Sequence, residues 1–329
     1  MWLPVLAAAA GLGTCVDLKE NGWCGARRGH CGLSDNVSWY VQVRCNSTCG
    51  CKPASEPTES LLHRFLSGPA LEKAVLQMRI PSCDSRRPRW QQLAEDALRD
   101  GGTALVIGAN TGPGNVISND PLWAALKRNE RAHKVFVEPI PAFFRALQAN
   151  LRDMPRAVAV NAAISPGETS AELTMYCLVD PESGASPTLG KAALQRKVKV
   201  WWSQICSLSR ERLFAKADME RDLGSRVAVL EGFVRNVSVP ALTVDALLVE
   251  HVPSGAPVKY VQIDVEGWDD HVVTRLPLGR RGFRPEVIVF EWMLLGVARY
   301  TAAIERLHNA GYRTCWEEQN VAAVRMVNA

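Results

Sequence analysis

The sequence predicts an α/β fold, a doubly wound parallel sheet, preceded by a small disulfide-rich module. Three observations carry that expectation. From about residue 61 onward, short apolar runs of the buried-strand type alternate with amphipathic helical stretches. The first of those runs ends on a glycine-bearing turn, and later ones end on acids. Six of the ten cysteines lie between Cys15 and Cys51, and four are scattered over the rest of the 329 residues. The bulk composition, 47% apolar and 22% charged, excludes a disordered or fibrous chain. No apolar run approaches the roughly 18 residues of a membrane span. A net charge of +4 is too mild to imply nucleic acid.

Taken in order, residues 1–14, MWLPVLAAAAGLGT, resemble the apolar part of a secretory signal, with small residues from Ala8 to Gly13 where a peptidase could cut. They lack a basic start, and a buried amino-terminal segment is the alternative. Residues 15–51 hold Cys15, Cys24, Cys31, Cys45, Cys49 and Cys51 but almost no aliphatic clusters. So short a piece cannot fold on apolar burial, and cross-links must restrict its unfolded ensemble. Dense, dispersed cysteines in even number read as three disulfides in an oxidising compartment. A zinc site is the competitor, and it is disfavoured because two well-spaced Cys-x-x-Cys pairs are missing. Spacing alone leaves many pairings open. Asn36-Val-Ser and Asn46-Ser-Thr are glycosylation sequons, and residues 52–60, KPASEPTES, read as a linker.

The string CVDLKENGWCGARRGHCGLSDNVSWYVQVRCNSTCGC is similar to a ShK-type toxin-like domain, including Asp17 after the first cysteine and the Cys45-x-x-x-Cys49-Gly50 ending. The resemblance implies the pairings Cys15–Cys51, Cys24–Cys45 and Cys31–Cys49. One residue, Gly50, separates the last two cysteines where the family has two. The Lys-Tyr pair of channel-blocking members is not found, so a toxin role is not expected.

Beyond the linker, LLHRFLSGPALEKAVLQMRI and RWQQLAEDALRD are helix candidates, the second stopping at Gly101-Gly102. TALVI is a buried strand, followed by the turn GANTG and by PLWAALKRNERA, a helix opened by Asp120-Pro121. KVFVEP is the next strand, PAFFRALQANL the next helix and AVAVNAAIS a third strand. KYVQIDVEG and EVIVFEW repeat the buried strand that ends on acids. Such alternation implies right-handed crossovers, with ligands bound at the carboxyl ends of the strands. Gly108 and Gly112 permit a tight turn and close backbone approach to a ligand. Glu138, at the end of the next strand, is placed to accept hydrogen bonds from the two hydroxyls of a ribose. That is the logic of an adenosine-binding Rossmann-like site, and it leaves NAD and S-adenosylmethionine both open. Two features lean against a dinucleotide. The turn is GANTG rather than G-x-G-x-x-G, and Asp120-Pro121 postpones the helix whose amino end would hold a pyrophosphate.

VIGANTG, VFVEPIPAFFRALQANL, VNAAIS, VPALTVDALL, VQIDVEGWDDHVV, VIVFEWMLL and LHNAGY occur in the order and spacing of FkbM-type methyltransferases, from about residue 104 to 313. The resemblance implies a class I methyltransferase fold over residues 61–329, S-adenosyl-L-methionine as donor and typically a hydroxyl oxygen as acceptor. Residue by residue, it implies a cofactor loop of Gly108, Ala109, Asn110 and Gly112, and a ribose-binding acid in Glu138. It also implies an adenine-side segment over Asn161, Ala163 and Ile164, and a D-x-E-G element of Asp264, Glu266 and Gly267 beside the methyl group. Val106 stands where the family loop usually begins with aspartate, and Asn110 or Asp120 could take over its contact.

Methyl transfer to oxygen needs the acceptor in line with the sulfonium and its proton removed. Asp264 is expected to face the cofactor or acceptor, and Glu266 to turn in at Gly267 as base or positioning group. The two are expected on opposite faces of their segment. Glu291 is a third candidate carboxylate, and each of the three could instead cap a following helix. His271 reads as a solvated histidine. No H-x-x-H or H-E-x-x-H element supports a metal site. Residues 190–240 carry ten Lys/Arg against five Asp/Glu, with Trp201-Trp202 among them. They read either as an aromatic platform for a sugar or base, or as a solvated helical excursion. The aromatics are not interleaved with a dense basic patch, so a nucleic-acid partner is not expected. Asn236-Val-Ser is a third sequon, and Cys83, Cys177, Cys206 and Cys315 form up to two bridges or remain thiols. The expected function is O-methylation of a carbohydrate, glycan or small metabolite in the secretory pathway or outside the cell. The alternatives are a secreted non-catalytic binding protein on the same scaffold and an NAD enzyme.

Overall fold

A computed structural model describes residues 80, 83, 90–112, 121–165, 167, 171–177, 205–213, 234–280, 282–317 and 319–326. The candidate signal, the six-cysteine module, the linker, Asp120 and Trp201-Trp202 lie outside the described residues. The elements below all belong to one unit, Pro81–Ala329.

The helix α1 (Trp90–Leu98) buries Ala94, Ala97 and Leu98 and stops where the Gly101 N–H donates to the Leu98 carbonyl at 2.9 Å. There follow β1 (Thr103–Ile107), α2 (Pro121–Arg128), β2 (His133–Val137), α3 (Pro141–Asn150) and β3 (Ala157–Val160). A second group contains β4 (Ala163–Ile164), β5 (Ala171–Cys177), β6 (Cys206–Ser207) and β7 (Arg235–Leu242). The chain returns through α4 (Val244–His251), whose amino end is capped by Thr243 accepting from the Ala246 N–H at 3.0 Å. It ends with β8 (Val258–Ile263), α5 (Asp269–Arg275), β9 (Phe283–Glu291), α6 (Val297–Asn309), β10 (Tyr312–Glu317) and β11 (Asn320–Arg325).

The seven-stranded sheet has the order β10-β11-β9-β8-β1-β2-β3. β1, β2, β3, β8 and β9 are parallel, as the alternation of strands and helices requires. The far edge differs from the all-parallel expectation. β11 runs antiparallel to β9 and β10 antiparallel to β11, because the short link from Glu317 to Asn320 can only turn a hairpin. The chain winds outward from β1 in one direction and resumes at β8 in the other. The crevice between β1 and β8 is the switch point where an α/β sheet binds ligands.

The four-stranded sheet has the order β4-β7-β5-β6. One sequence expectation changes here. The run AVAVNAAIS is two strands in two sheets, because Asn161 leaves the large sheet and donates its side-chain amide to the Glu138 and Pro139 carbonyls, each at 2.9 Å. Within residues 190–240 the described parts supply β6, β7 and a helical turn over 210–213, exposed at Arg210 and Glu211 and buried at Leu213, while 190–204 and 214–233 lie outside the described residues. β7, RNVSVPAL, alternates between exposed and inward-facing positions, which is the pattern of a half-buried strand. All four cysteines outside the amino-terminal module form bridges. Cys83–Cys315 ties the segment ahead of α1 to β10, and Cys177–Cys206 joins register partners on β5 and β6. The small sheet packs Met175, Cys177, Cys206 and Val239 against Ile140 and Phe143.

Candidate functional site

The carboxyl ends of β1, β2, β8 and β9 build the site. Gly108 follows β1 with φ 84°, and a Cβ there would lie 1.7 Å from the Asp264 carbonyl oxygen. Only glycine fits, and what approaches it closely is the protein's own β8 backbone. The Gly108 and Ala109 N–H groups both donate to the Val137 carbonyl, at 2.9 and 3.0 Å. Asn110 turns into the left-handed region at φ 50° and donates its N–H to Glu138 Oε2 at 2.8 Å. Its own Oδ1 accepts from the Thr111 N–H at 2.7 Å, and the Gly112 N–H donates to the Ala109 carbonyl at 3.0 Å.

Glu138 is therefore held from two sides, since its Oε1 accepts from the Ile140 N–H at 2.9 Å. It is only 4% exposed. Burial pushes its carboxyl up to about 7, against the pull of the Ile140 and Asn110 amides and with a further push from Asp264. Val106 is 2% exposed within the apolar cluster on the other side of β1, in register with Phe136 and Gln262.

The segment after β8 gathers acids. Oxygens of Asp264, Glu266 and Glu291 all lie within 4.8 Å of one another. Asp264 and Glu266 thus meet rather than facing opposite ways. Two residues along an extended chain return a side chain to the same face, and Glu266 then leaves the extended region at φ 53°. Three carboxylates this close offer oxygen ligands to a hard cation, and they make the strand ends strongly negative. No local motif marks them as a set, because Glu291 arrives from β9.

Side chains from elsewhere fix this segment. Asp269, fully buried, accepts from the Gly267 N–H at 3.1 Å and the Val265 N–H at 3.4 Å. Burial, then the neighbouring Asp264, push its carboxyl well above the usual range against those two amides. The Ser207 hydroxyl donates to the Glu266 carbonyl at 2.8 Å, and Arg212 donates to the carbonyls of Gly267 and Leu294. Trp268 stacks on His271 with ring centres 4.3 Å apart and lies beneath the guanidinium groups of Arg299 and Arg212. Asp270 pairs with Arg299 through two hydrogen bonds.

An apolar slot opens beside Gly108, lined among others by Ile107, Val137, Pro139, Ala163, Ile164, Val265 and His271. Of the candidates read from sequence, Gly108, Ala163 and Ile164 line it, while Glu138 and Asn110 meet at its edge of the sheet. Asn161 directs its amide at backbone carbonyls. His271 is packed on Trp268 and lines the slot, and burial lowers its pKa against the pull of Asp270. Sequence reasoning missed Trp268 and Asp269, although both directly follow Gly267. It also did not single out Ser207 and Arg212, which lie in the segment QICSLSRERL.

The FkbM methyltransferase domain matches residues 107–314. This chain belongs to the FkbM methyltransferase family. The family has the class I methyltransferase fold, which agrees with the switch point and the reversed final strand of the large sheet. FkbM membership implies S-adenosylmethionine as the methyl donor. Among solved structures, the chain is similar to a precorrin-6y C5,15-methyltransferase from Geobacter metallireducens GS-15, at 12% identity and a TM-score of 0.33, covering 75% of this chain and 95% of that one. No curated protein matches the chain. Among the described residues no helix is long and apolar enough to cross a membrane.

Proposed function

We propose that this FkbM protein is an O-methyltransferase that acts on a hydroxyl of a carbohydrate, glycan or small metabolite in the secretory pathway or outside the cell. The observation that carries the reading is the gathering of carboxylates at strand ends on both sides of β1, Glu138 after β2 and Asp264, Glu266 and Glu291 at the ends of β8 and β9, beside an apolar slot. When bound, S-adenosylmethionine supplies an electrophilic methyl group on a sulfonium. Acidic strand ends attract a sulfonium and an ammonium and repel a pyrophosphate, which supports this donor over a dinucleotide.

Glu138, oriented by the Asn110 and Ile140 amides, accepts the ribose hydroxyls. Ala163 and Ile164 give the slot an apolar wall suited to an adenine ring, with Asn161 bracing the turn that precedes them. Gly108, Ala109, Asn110 and Gly112 shape the loop between. Asp264 faces the donor or acceptor. Glu266 would take the proton of the acceptor hydroxyl, whose oxygen would receive the methyl group that the donor supplies as its sulfur leaves neutral.

The compartment reading draws on the two bridges, which persist in oxidising surroundings, and on the cysteine-rich residues 15–51. With it go a signal over residues 1–14, a ShK-like module over 15–51, a linker over 52–60 and the catalytic domain over 61–329. Asn236, in the third sequon, is exposed on β7. Calorimetry with S-adenosylmethionine and transfer of labelled methyl to a panel of hydroxyl acceptors test the proposal. Binding by the unaltered protein and its loss in Glu138→Ala are expected, whereas no binding by the unaltered protein overturns the reading. A second reading, a non-catalytic binding protein on this scaffold, draws on Val106, a valine buried in the apolar core where the family loop usually begins with aspartate. Methyl transfer to any acceptor eliminates it.

A further inference from the structure

We infer that residues 206–213 form a strap that positions the Glu266 carboxylate, with Ser207 and Arg212 as positioning residues and the Cys177–Cys206 bridge as its anchor. The inference rests on the reading of Glu266 given above and adds the means by which that carboxylate is held.

Glu266 has a side chain and a φ of 53°, a region that non-glycine residues enter at a cost of about 1 kcal/mol or more. Such a conformation persists only where its surroundings fix it. The Ser207 side chain does so at the Glu266 carbonyl (2.8 Å), and it is well suited to the task. Ser207 is fully buried and its hydroxyl oxygen accepts from the Ser209 N–H at 3.1 Å, which leaves the hydroxyl proton for Glu266. Arg212 takes hold of the next residue by donating to the Gly267 carbonyl, and it also reaches the Leu294 carbonyl at 3.3 Å. It thereby spans the segment after β8, which carries Glu266, and the segment after β9, the strand that ends on Glu291. A Cβ on Gly267 would meet the Arg212 Cδ at 2.9 Å, so the arginine stem and this glycine fit each other.

The strap needs a fixed end. β6 pairs with β5 over only Tyr176↔Ser207 and Cys177↔Cys206, too short a ladder to hold a segment by itself. The disulfide falls on the second of those register pairs and makes the attachment covalent one residue before Ser207. Leu213, fully buried, secures the other end.

The test uses the whole chain. In Ser207→Ala, amide exchange at Val265 and Gly267 is expected to quicken about tenfold, the loss of roughly one buried hydrogen bond, with exchange in β1 and β9 unchanged. Turnover at saturating donor is expected to fall about tenfold while the donor Kd and KM stay within about twofold. Placed in a Glu266→Gln background, Ser207→Ala is expected to lower turnover no further, because both changes act through one carboxylate. Arg212→Met and the double variant Cys177→Ser/Cys206→Ser are expected to quicken the same amides. Unchanged exchange at Val265 and Gly267 in both Ser207→Ala and Arg212→Met overturns the strap, as do losses that multiply in the Glu266→Gln background. If the unaltered protein binds no S-adenosylmethionine, the donor reading fails by itself, and the exchange measurements still decide the strap.

Discussion

In the seven-stranded sheet, β1 is buried along its whole length and β9 over its last five residues, so both read as continuous apolar runs. In the four-stranded sheet, β7 alternates and β6 has two residues, so little apolar area is available to hold it. The two sheets fix their parts of the site by different physics. The large sheet presents Glu138, Asp264 and Glu291 at strand ends whose positions follow from core packing and ladder register. The small sheet contributes a covalent bridge and Ser207, and the helical turn that follows β6 contributes Arg212, two side chains that reach across to backbone carbonyls. A large core can place a carboxylate without help, whereas a thin one needs cross-links and specific polar contacts to place a loop.

Several substitutions test that contrast, and the largest effect is expected at Gly108. Gly108→Ala would put a Cβ 1.7 Å from the Asp264 carbonyl oxygen at a φ of 84°. A loss of at least about 5 kcal/mol in urea unfolding is expected, enough to unfold a domain of ordinary stability. An unshifted midpoint would show that β1 and β8 do not cross so closely.

The bridges come next. Cys83–Cys315 closes a separation of 232 residues and Cys177–Cys206 one of 29. Loop entropy gives about 5 and about 4 kcal/mol respectively, so removing the first bridge should cost more global stability. Removing the second should cost more order at Val265 and Gly267. The reverse pattern in unfolding and exchange would break the division of labour between the sheets.

Glu138 gives a pH dependence. Its carboxyl is raised from 4.5 to about 7, so between those values the folded state holds a proton that the unfolded state has lost. Stability contributed by the neutral form is therefore complete below about pH 4.5 and is lost as pH rises toward 7, by up to about 3 kcal/mol. Glu138→Gln should flatten that slope in thermal unfolding. Donor affinity should rise over the same interval with release of a proton, read by calorimetry in buffers of different ionisation enthalpy.

A smaller effect, about 1–2 kcal/mol, is expected for Asp269→Asn, which keeps one acceptor oxygen but turns an amide donor toward a backbone N–H. Faster exchange at Gly267 with little change in the midpoint would check it.

The sequence by itself determined the alternating elements, the switch-point logic and the individual acids at strand ends. Apolar run length, glycine turns and the acids of VFVEP and VQIDVEG are local signals, and they survive into the fold because burial dictates them residue by residue. The antiparallel edge was not read from the sequence, since nothing local says which strand β11 will join. Tertiary structure alone decided that Asp264, Glu266 and Glu291 meet, that Cys177 pairs with Cys206, and that AVAVNAAIS divides between two sheets. It alone brought Ser207 to Glu266 and Arg212 to Gly267, across 59 and 55 positions of sequence. The physical reason is the same in each case. A hydrogen bond from a side chain to a distant carbonyl, or a bridge set by strand register, leaves no periodicity in the chain, whereas burial of a strand writes its pattern into every residue.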